Sequence, residues 1–209
     1  MGIQDIMIEF ENELTNMATK VRYAMSEAIT ALQSNDKVLA LKVVERDEII
    51  NNIDHTINNS AISALSLQQP VARDLRLLIG GIKIATDLER IGDYAKNIGR
   101  FVIKGDEDMR SFQEGIFEMA SIFMTNFDLV LEALEEKDVK KAYEAAQQDD
   151  LLDQGFKTIV DRYADMSETH IFPLQLAEIL RNIERAGDHS KNICEQVIYI
   201  VNGQRVDFG

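Results

Sequence analysis

A ten-residue stretch, Glu89-Arg90-Ile91-Gly92-Asp93-Tyr94-Ala95-Lys96-Asn97-Ile98, returns 95 positions later as Glu184-Arg185-Ala186-Gly187-Asp188-His189-Ser190-Lys191-Asn192-Ile193, with seven of ten residues identical. Apolar or small residues around both copies fall at alternating steps of three and four: Ile84, Leu88, Ile91, Ala95, Ile98 and Val102, then Leu176, Ile179, Ile183, Ala186, Ser190, Ile193, Val197 and Ile200. Such spacing draws one buried seam along a helix. A second, weaker correspondence joins Asp47-Glu48-Ile49-Ile50-Asn51 to Asp149-Asp150-Leu151-Leu152-Asp153. Each seam needs its own covering partners, so a chain with both matches folds as two similar helical units.

Breaks in the periodicity at Asn35-Asp36, Gln68-Gln69-Pro70, Gly105-Asp106, Lys137-Asp138 and His170 to Pro173 divide the chain into six helices. The pattern places them near 4–33, 37–66, 71–103, 109–135, 139–168 and 174–202. Pro70 and Pro173 stand where a third helix opens, a position that tolerates a missing backbone donor. Two prolines and eleven glycines in 209 residues agree with long rods, and rods joined by short turns pack nearly antiparallel. The expected fold is all-α: six long helices forming two repeated three-helix bundles, residues 1–104 and 105–209.

A formal charge of −14 argues against nucleic acid as a partner, because a phosphate backbone would be repelled. Cys194 is the one cysteine, so no intrachain disulfide or CxxC site is available, and a reducing, cytoplasmic setting is expected. Gln4, Asp5 and Glu9 in the first ten residues do not suit a secretory signal, and no apolar run is long enough to span a bilayer. At most the protein would lie peripheral to a membrane.

The duplicated helix carries two acids four residues apart, Glu89 with Asp93 and Glu184 with Asp188, each pair on one face about a turn apart. With Ile183 in the seam, these acids are expected to face outward. Like charges at this spacing repel, yet the pair survives in both halves; a hard cation relieves that repulsion by accepting carboxylate oxygens. A neighbouring helix would complete each set, Asp47 and Asn51 in the first half and Asp149 and Asp153 in the second. The amide at Asn51 lowers the charge of the first set, so the second is expected to hold metal more tightly; Glu48 and Asp54 are the nearby acids that could compensate. Arg90 and Arg185, with Asn97 and Asn192 from the same repeat, are the candidates to hold these ligands in place. His189, beside Asp188, is a candidate extra ligand.

Gly92 and Gly187 each cost about 1 kcal/mol of helix stability relative to alanine, which close helix approach or room for bound ions would offset. Gly80-Gly81 has no counterpart in the sixth helix, and on sequence alone would only loosen the third. Phe112, Phe117, Phe123 and Phe127 suit either the core of the fourth helix or a dimer contact. No phosphate loop, nucleophile elbow or Ser-His-Asp order is present, so the chain reads as a non-enzyme.

The run Gln69-Pro70-Val71-Ala72-Arg73-Asp74-Leu75-Arg76, followed by Asp87-Leu88-Glu89-Arg90-Ile91-Gly92-Asp93 and later by Asn182-Ile183-Glu184-Arg185-Ala186-Gly187-Asp188, resembles the PhoU family. The resemblance covers essentially the whole chain. It implies a regulator of the phosphate-starvation response that links the ATPase subunit of a phosphate ABC transporter to a sensor histidine kinase, acting as a homodimer. It also implies multinuclear clusters of iron, zinc, magnesium or manganese on Glu89, Asp93, Glu184, Asp188, Asp149 and Asp153. Asn51 departs from that pattern where an acid is expected. Two rival readings differ in class: a protein that stores or oxidises iron or another metal on these carboxylates, and a metal-free helical scaffold.

Overall fold

In the computed structural model the described residues are 2–67, 69–105, 113–164 and 171–209. They form six helices: α1 (Ile3–Ser34), α2 (Lys37–Leu67), α3 (Ala72–Lys104), α4 (Gln113–Glu136), α5 (Val139–Ala164) and α6 (Ile171–Asn202). The expected parts of the fourth and fifth helices at 109–112 and 165–168, with Gln68, Asp106, Phe112 and His170, lie outside the described residues.

The two tight turns are copies of each other. Asn35 and Lys137 adopt left-handed backbone (φ 50 and 54), and Asp36 and Asp138 follow, each accepting two backbone N–H bonds from the opening turn of α2 or α5. The left-handed residue ends one helix and the aspartate satisfies orphan donors of the next, so the chain reverses within two residues.

Helices α1, α2 and α3 pack on one another, as do α4, α5 and α6. The predicted seam is buried: Ile84, Leu88, Ile91 and Ala95 are fully covered, as are Ile183, Ala186 and Ile193. Phe123 and Phe127 stack inside the core with ring centroids 5.4 Å apart, and Phe117 packs against its edge, so these α4 aromatics belong to the fold's interior.

The halves meet chiefly where α3 lies antiparallel to α6. Asn97 Nδ2 donates to Asn182 Oδ1 (3.3 Å), and Asn192 Nδ2 donates to Asp87 Oδ1 (3.2 Å). Moving either pair by the 95-residue repeat gives the other pair. The contact is therefore two-fold in character, with Tyr94 and its counterpart His189 touching at its centre, Oη to Nε2 3.3 Å. A bidentate pair from Arg22 to Asp128 (2.5 and 2.9 Å) ties α1 to α4 beside it.

Gly80 and Gly81 lie in this region, and the expectation that they merely loosen α3 does not hold. Both are buried. A Cβ on Gly80 would lie 2.6 Å from Ile200 Cγ1, and one on Gly81 would meet the Phe10 ring, 2.7 Å from Cζ. The glycines let α6 and α1 approach α3 closely.

Candidate metal centre

Asp47 lies in the apolar stripe of α2, between Val43 and Ile50, and is 6% exposed; Asp149 occupies the matching place in α5, above Leu152, at 3%. The four acids expected to face outward, Glu89, Asp93, Glu184 and Asp188, are half-buried, whereas these two partners from α2 and α5 lie deeper. An unpaired carboxylate at such a depth is costly, so each needs a cation or donors near it.

The packing makes space for them. Gly92 faces Ile50 and Asp47, where a Cβ would lie 3.2 Å from Ile50 Cδ1 and 4.0 Å from Asp47 Oδ1. At Gly187 the added Cβ would lie 2.8 Å from Asp149 Oδ1 and 3.0 Å from Leu152 Cδ1. The close-approach reading of these glycines holds: they let the helices come together, and in the second half that approach accommodates the Asp149 carboxylate.

In the second half, Asp149, Asp153 and Asp188 offer oxygens that all lie within 4.8 Å of one another, Asp149 being the most buried and Asp188 the least. Glu184 joins this field: burial first, then the charges of Asp188 and Asp153, push its carboxyl pKa upward. Asp188 is raised by burial and by Asp153, against the pull of Lys191. Asp149 is raised mainly by burial, although Lys191 Nζ reaches its Oδ2 at 3.0 Å. In each case burial is the first cause, the neighbouring carboxylates add to it, and the nearby cations oppose it.

In the first half, Lys96 Nζ lies 2.6 Å from Asp47 Oδ2 and 2.7 Å from Asp93 Oδ1. Asn51 Nδ2 also donates to Asp47 Oδ2 (3.3 Å), while Asp47 Oδ1 and Asn51 Oδ1 are buried without hydrogen-bond partners. Glu89 is raised by burial and by Asp93, with Asp54 and Asp47 adding to the effect, so Asp54 stands within the field of this cluster. Glu48 is exposed.

The supporting residues divide. Arg90 sits by Glu89 and Asp93 at 3.7 and 3.5 Å, and the charge of Arg185 acts on Glu184 and Asp188, so both arginines stand where expected. Asn97 and Asn192 do not: their amides are turned across the α3–α6 contact to Asn182 and Asp87, because the two-fold packing points that face of the repeat at the other half. His189 likewise directs Nδ1 to Asp87 Oδ1 (2.8 Å) and Nε2 to Tyr94, away from the acids. Sequence reasoning missed Lys96 and Lys191, although the Asp93-to-Lys96 spacing of three is a usual ion-pair register.

All the donors are oxygens, and three carboxylates converge in the second half, a set that suits a hard or borderline divalent ion. The buried, unpartnered Asp47 Oδ1 and Asn51 Oδ1 fit the same use in the first half. Cys194, fully buried nearby with its thiol pushed up to about 12 by burial, is not a reactive ligand.

The raised carboxyls predict an inverted acid response. Glu89, Asp149, Glu184 and Asp188 hold protons more tightly folded than unfolded, so their contribution is complete below the ordinary carboxyl range and is lost as pH rises through the raised values. Chelator-treated protein should melt at a higher temperature at about pH 5 than at about pH 7.5. A melting temperature that drops on this acidification would contradict the assignment.

A family model described as the PhoU domain matches residues 14–102 and 116–197. The phosphate-specific transport system accessory protein PhoU homolog of Clostridium acetobutylicum is 32% identical over 205 residues, covering 95% of this chain and 94% of that protein. The Escherichia coli phosphate-specific transport system accessory protein PhoU is 31% identical over 199 residues, 92% of this chain and 82% of its own length. Among solved structures, the Pseudomonas aeruginosa PhoU superposes with a TM-score of 0.90 at 31% identity, covering 96% of this chain and 99% of that one. The phosphate transport system regulatory protein PhoU of Streptococcus pneumoniae gives 0.90 at 26% identity, covering 98% and 99%.

Proposed function

The chain belongs to the PhoU family, and from that premise we propose that it is a cytoplasmic, non-catalytic adaptor that holds the phosphate-starvation response off by contacting the ATPase subunit of a phosphate ABC transporter and a sensor histidine kinase. The observation carrying this reading is the nearly end-to-end correspondence, through both halves, with proteins named as accessory to phosphate-specific transport. Among the described residues no helix is long and apolar enough to cross a membrane, which fits a protein that works on the face of a transporter. Val38, Leu67 and Val71, each more than two-thirds or close to two-thirds exposed, give such partners, or a second copy in a homodimer, apolar surface to cover.

The acidic clusters add metal to this reading. Asp149, Asp153, Glu184 and Asp188 would hold ions in the second half, and Asp47, Asn51, Glu89 and Asp93 in the first. Bound there, ions neutralise the crowded carboxylates and cross-link α5 to α6 and α2 to α3. The chain's own residues do the rest: the two glycines seat the buried aspartates, and the arginines limit repulsion at the rim.

Deleting the gene should raise alkaline phosphatase expression in phosphate-rich medium, and the intact gene should restore repression. Expression that stays low in the deletion strain would count against the adaptor reading.

A further inference from the structure

We propose that the Lys96 ammonium occupies the cation position of the first-half cluster, so that a metal ion enters there only by displacing it, whereas the second-half cluster is open to metal directly. The proposal rests on reading the acidic clusters as metal sites and assigns their order of filling.

Lys96 and Lys191 are the same residue of the repeat, yet they are engaged differently. Lys96 bridges α2 and α3 by bonding two of the expected ligands at once, Asp47 at 2.6 Å and Asp93 at 2.7 Å, with its side chain only 16% exposed. Lys191 reaches Asp149 alone, at 3.0 Å, and leaves the oxygens of Asp153 and Asp188 converging with Asp149. An ammonium centred between two carboxylates stands where a divalent ion would stand, since its N···O distances exceed typical metal–oxygen distances by only a few tenths of an ångström. Both cannot be accommodated between the same oxygens.

The remaining first-half donors are arranged for the ammonium. Asn51 turns its Nδ2, a donor, toward Asp47, and its Oδ1, the atom a metal would need, has no partner. Asp47 Oδ1 is also unpartnered, on a residue 6% exposed, so the lysine satisfies one oxygen of that carboxylate and leaves the other available. Filling the position between Asp47 Oδ2 and Asp93 Oδ1 thus requires the lysine to leave. The second half has an acid, Asp153, at the matching position, and its lysine is bonded to only one of the three converging carboxylates.

Calorimetric titration of purified protein with Mn2+ separates this from a simple supporting role. Wild type should show tight binding at the second cluster only, and Lys96→Met should gain a second set or tighten the weak one by about tenfold or more. If Lys96 instead holds ligands in place, Lys96→Met should weaken binding by roughly 10- to 100-fold, which overturns the proposal. Unchanged binding in Lys96→Met overturns it too, while leaving the metal reading intact. No Mn2+ binding by either protein removes both. A readout on wild type covers the case of a variant that does not fold. With labelled lysine, the Lys96 Nζ signal should be protected from solvent exchange without metal and lose that protection at high Mg2+. Protection that persists once first-half ligands are shown to bind Mg2+ rejects displacement.

Discussion

Gly81→Ala should destabilise the protein by about 2 kcal/mol and lower its melting temperature by roughly 4–8 °C, although alanine is the better helix former. The added methyl would be driven into the edge of the Phe10 ring and to 3.0 Å from Leu14 Cδ1. Phe10 is 1% exposed and its ring is a rigid plate in a packed core, so it cannot swing clear without displacing neighbours. Overpacking of that kind costs about 1–3 kcal/mol or somewhat more, against about 1 kcal/mol returned by helix propensity. Phe10→Leu should restore part of the loss in the double variant, since it removes the ring edge, while costing stability alone. Thermal melts of the three proteins check this; additive losses in the double variant would show that the two residues do not compete for the same space.

The two-fold relation between the halves explains why so much of the fold was legible. The seam residues, the left-handed turns and the capping aspartates each occur twice, so a sequence pattern ambiguous in one half is resolved by its copy. Helix ends fell within one or two residues of expectation wherever a turn carries its own chemistry, as at Asn35-Asp36 and Lys137-Asp138. What the repeat could not show is where its two copies face each other. Asn97, Asn192 and His189 looked like companions of the acids because they are close to them in sequence, yet a helix turns about 100° per residue and presents them to the opposite half.

The acids themselves stood out by spacing, while the depth of Asp47 and Asp149 was not read. Asp47 and Asp149 stand in register with Ile50 and Leu152 in the buried stripes of α2 and α5, and that register was readable had those helices been given a seam like α3 and α6. Carboxylates in a buried stripe demand cations, which points directly to Lys96 and Lys191. The conflict between local sequence and burial is concentrated at these positions, which is what the proposed metal role would produce.

Asp188→Asn should move stability and metal binding in opposite directions. Burial first, and the charge of Asp188 after it, push the carboxyls of Glu184 and Asp149 upward, and removing that charge relieves part of the strain while the amide preserves shape. The metal-free variant should therefore melt at a higher temperature than wild type at neutral pH. It also loses one of three carboxylates that converge within 4.8 Å, so Mn2+ affinity at the second cluster should fall by roughly a hundredfold or more. Calorimetry and melts with and without Mn2+ read both effects, and added metal should stabilise wild type far more than the variant. A residue kept for the fold alone would lose stability on substitution and leave metal binding unmoved. Opposed signs arise only where charge is crowded at a cost to the empty protein, so that a cation can be held there.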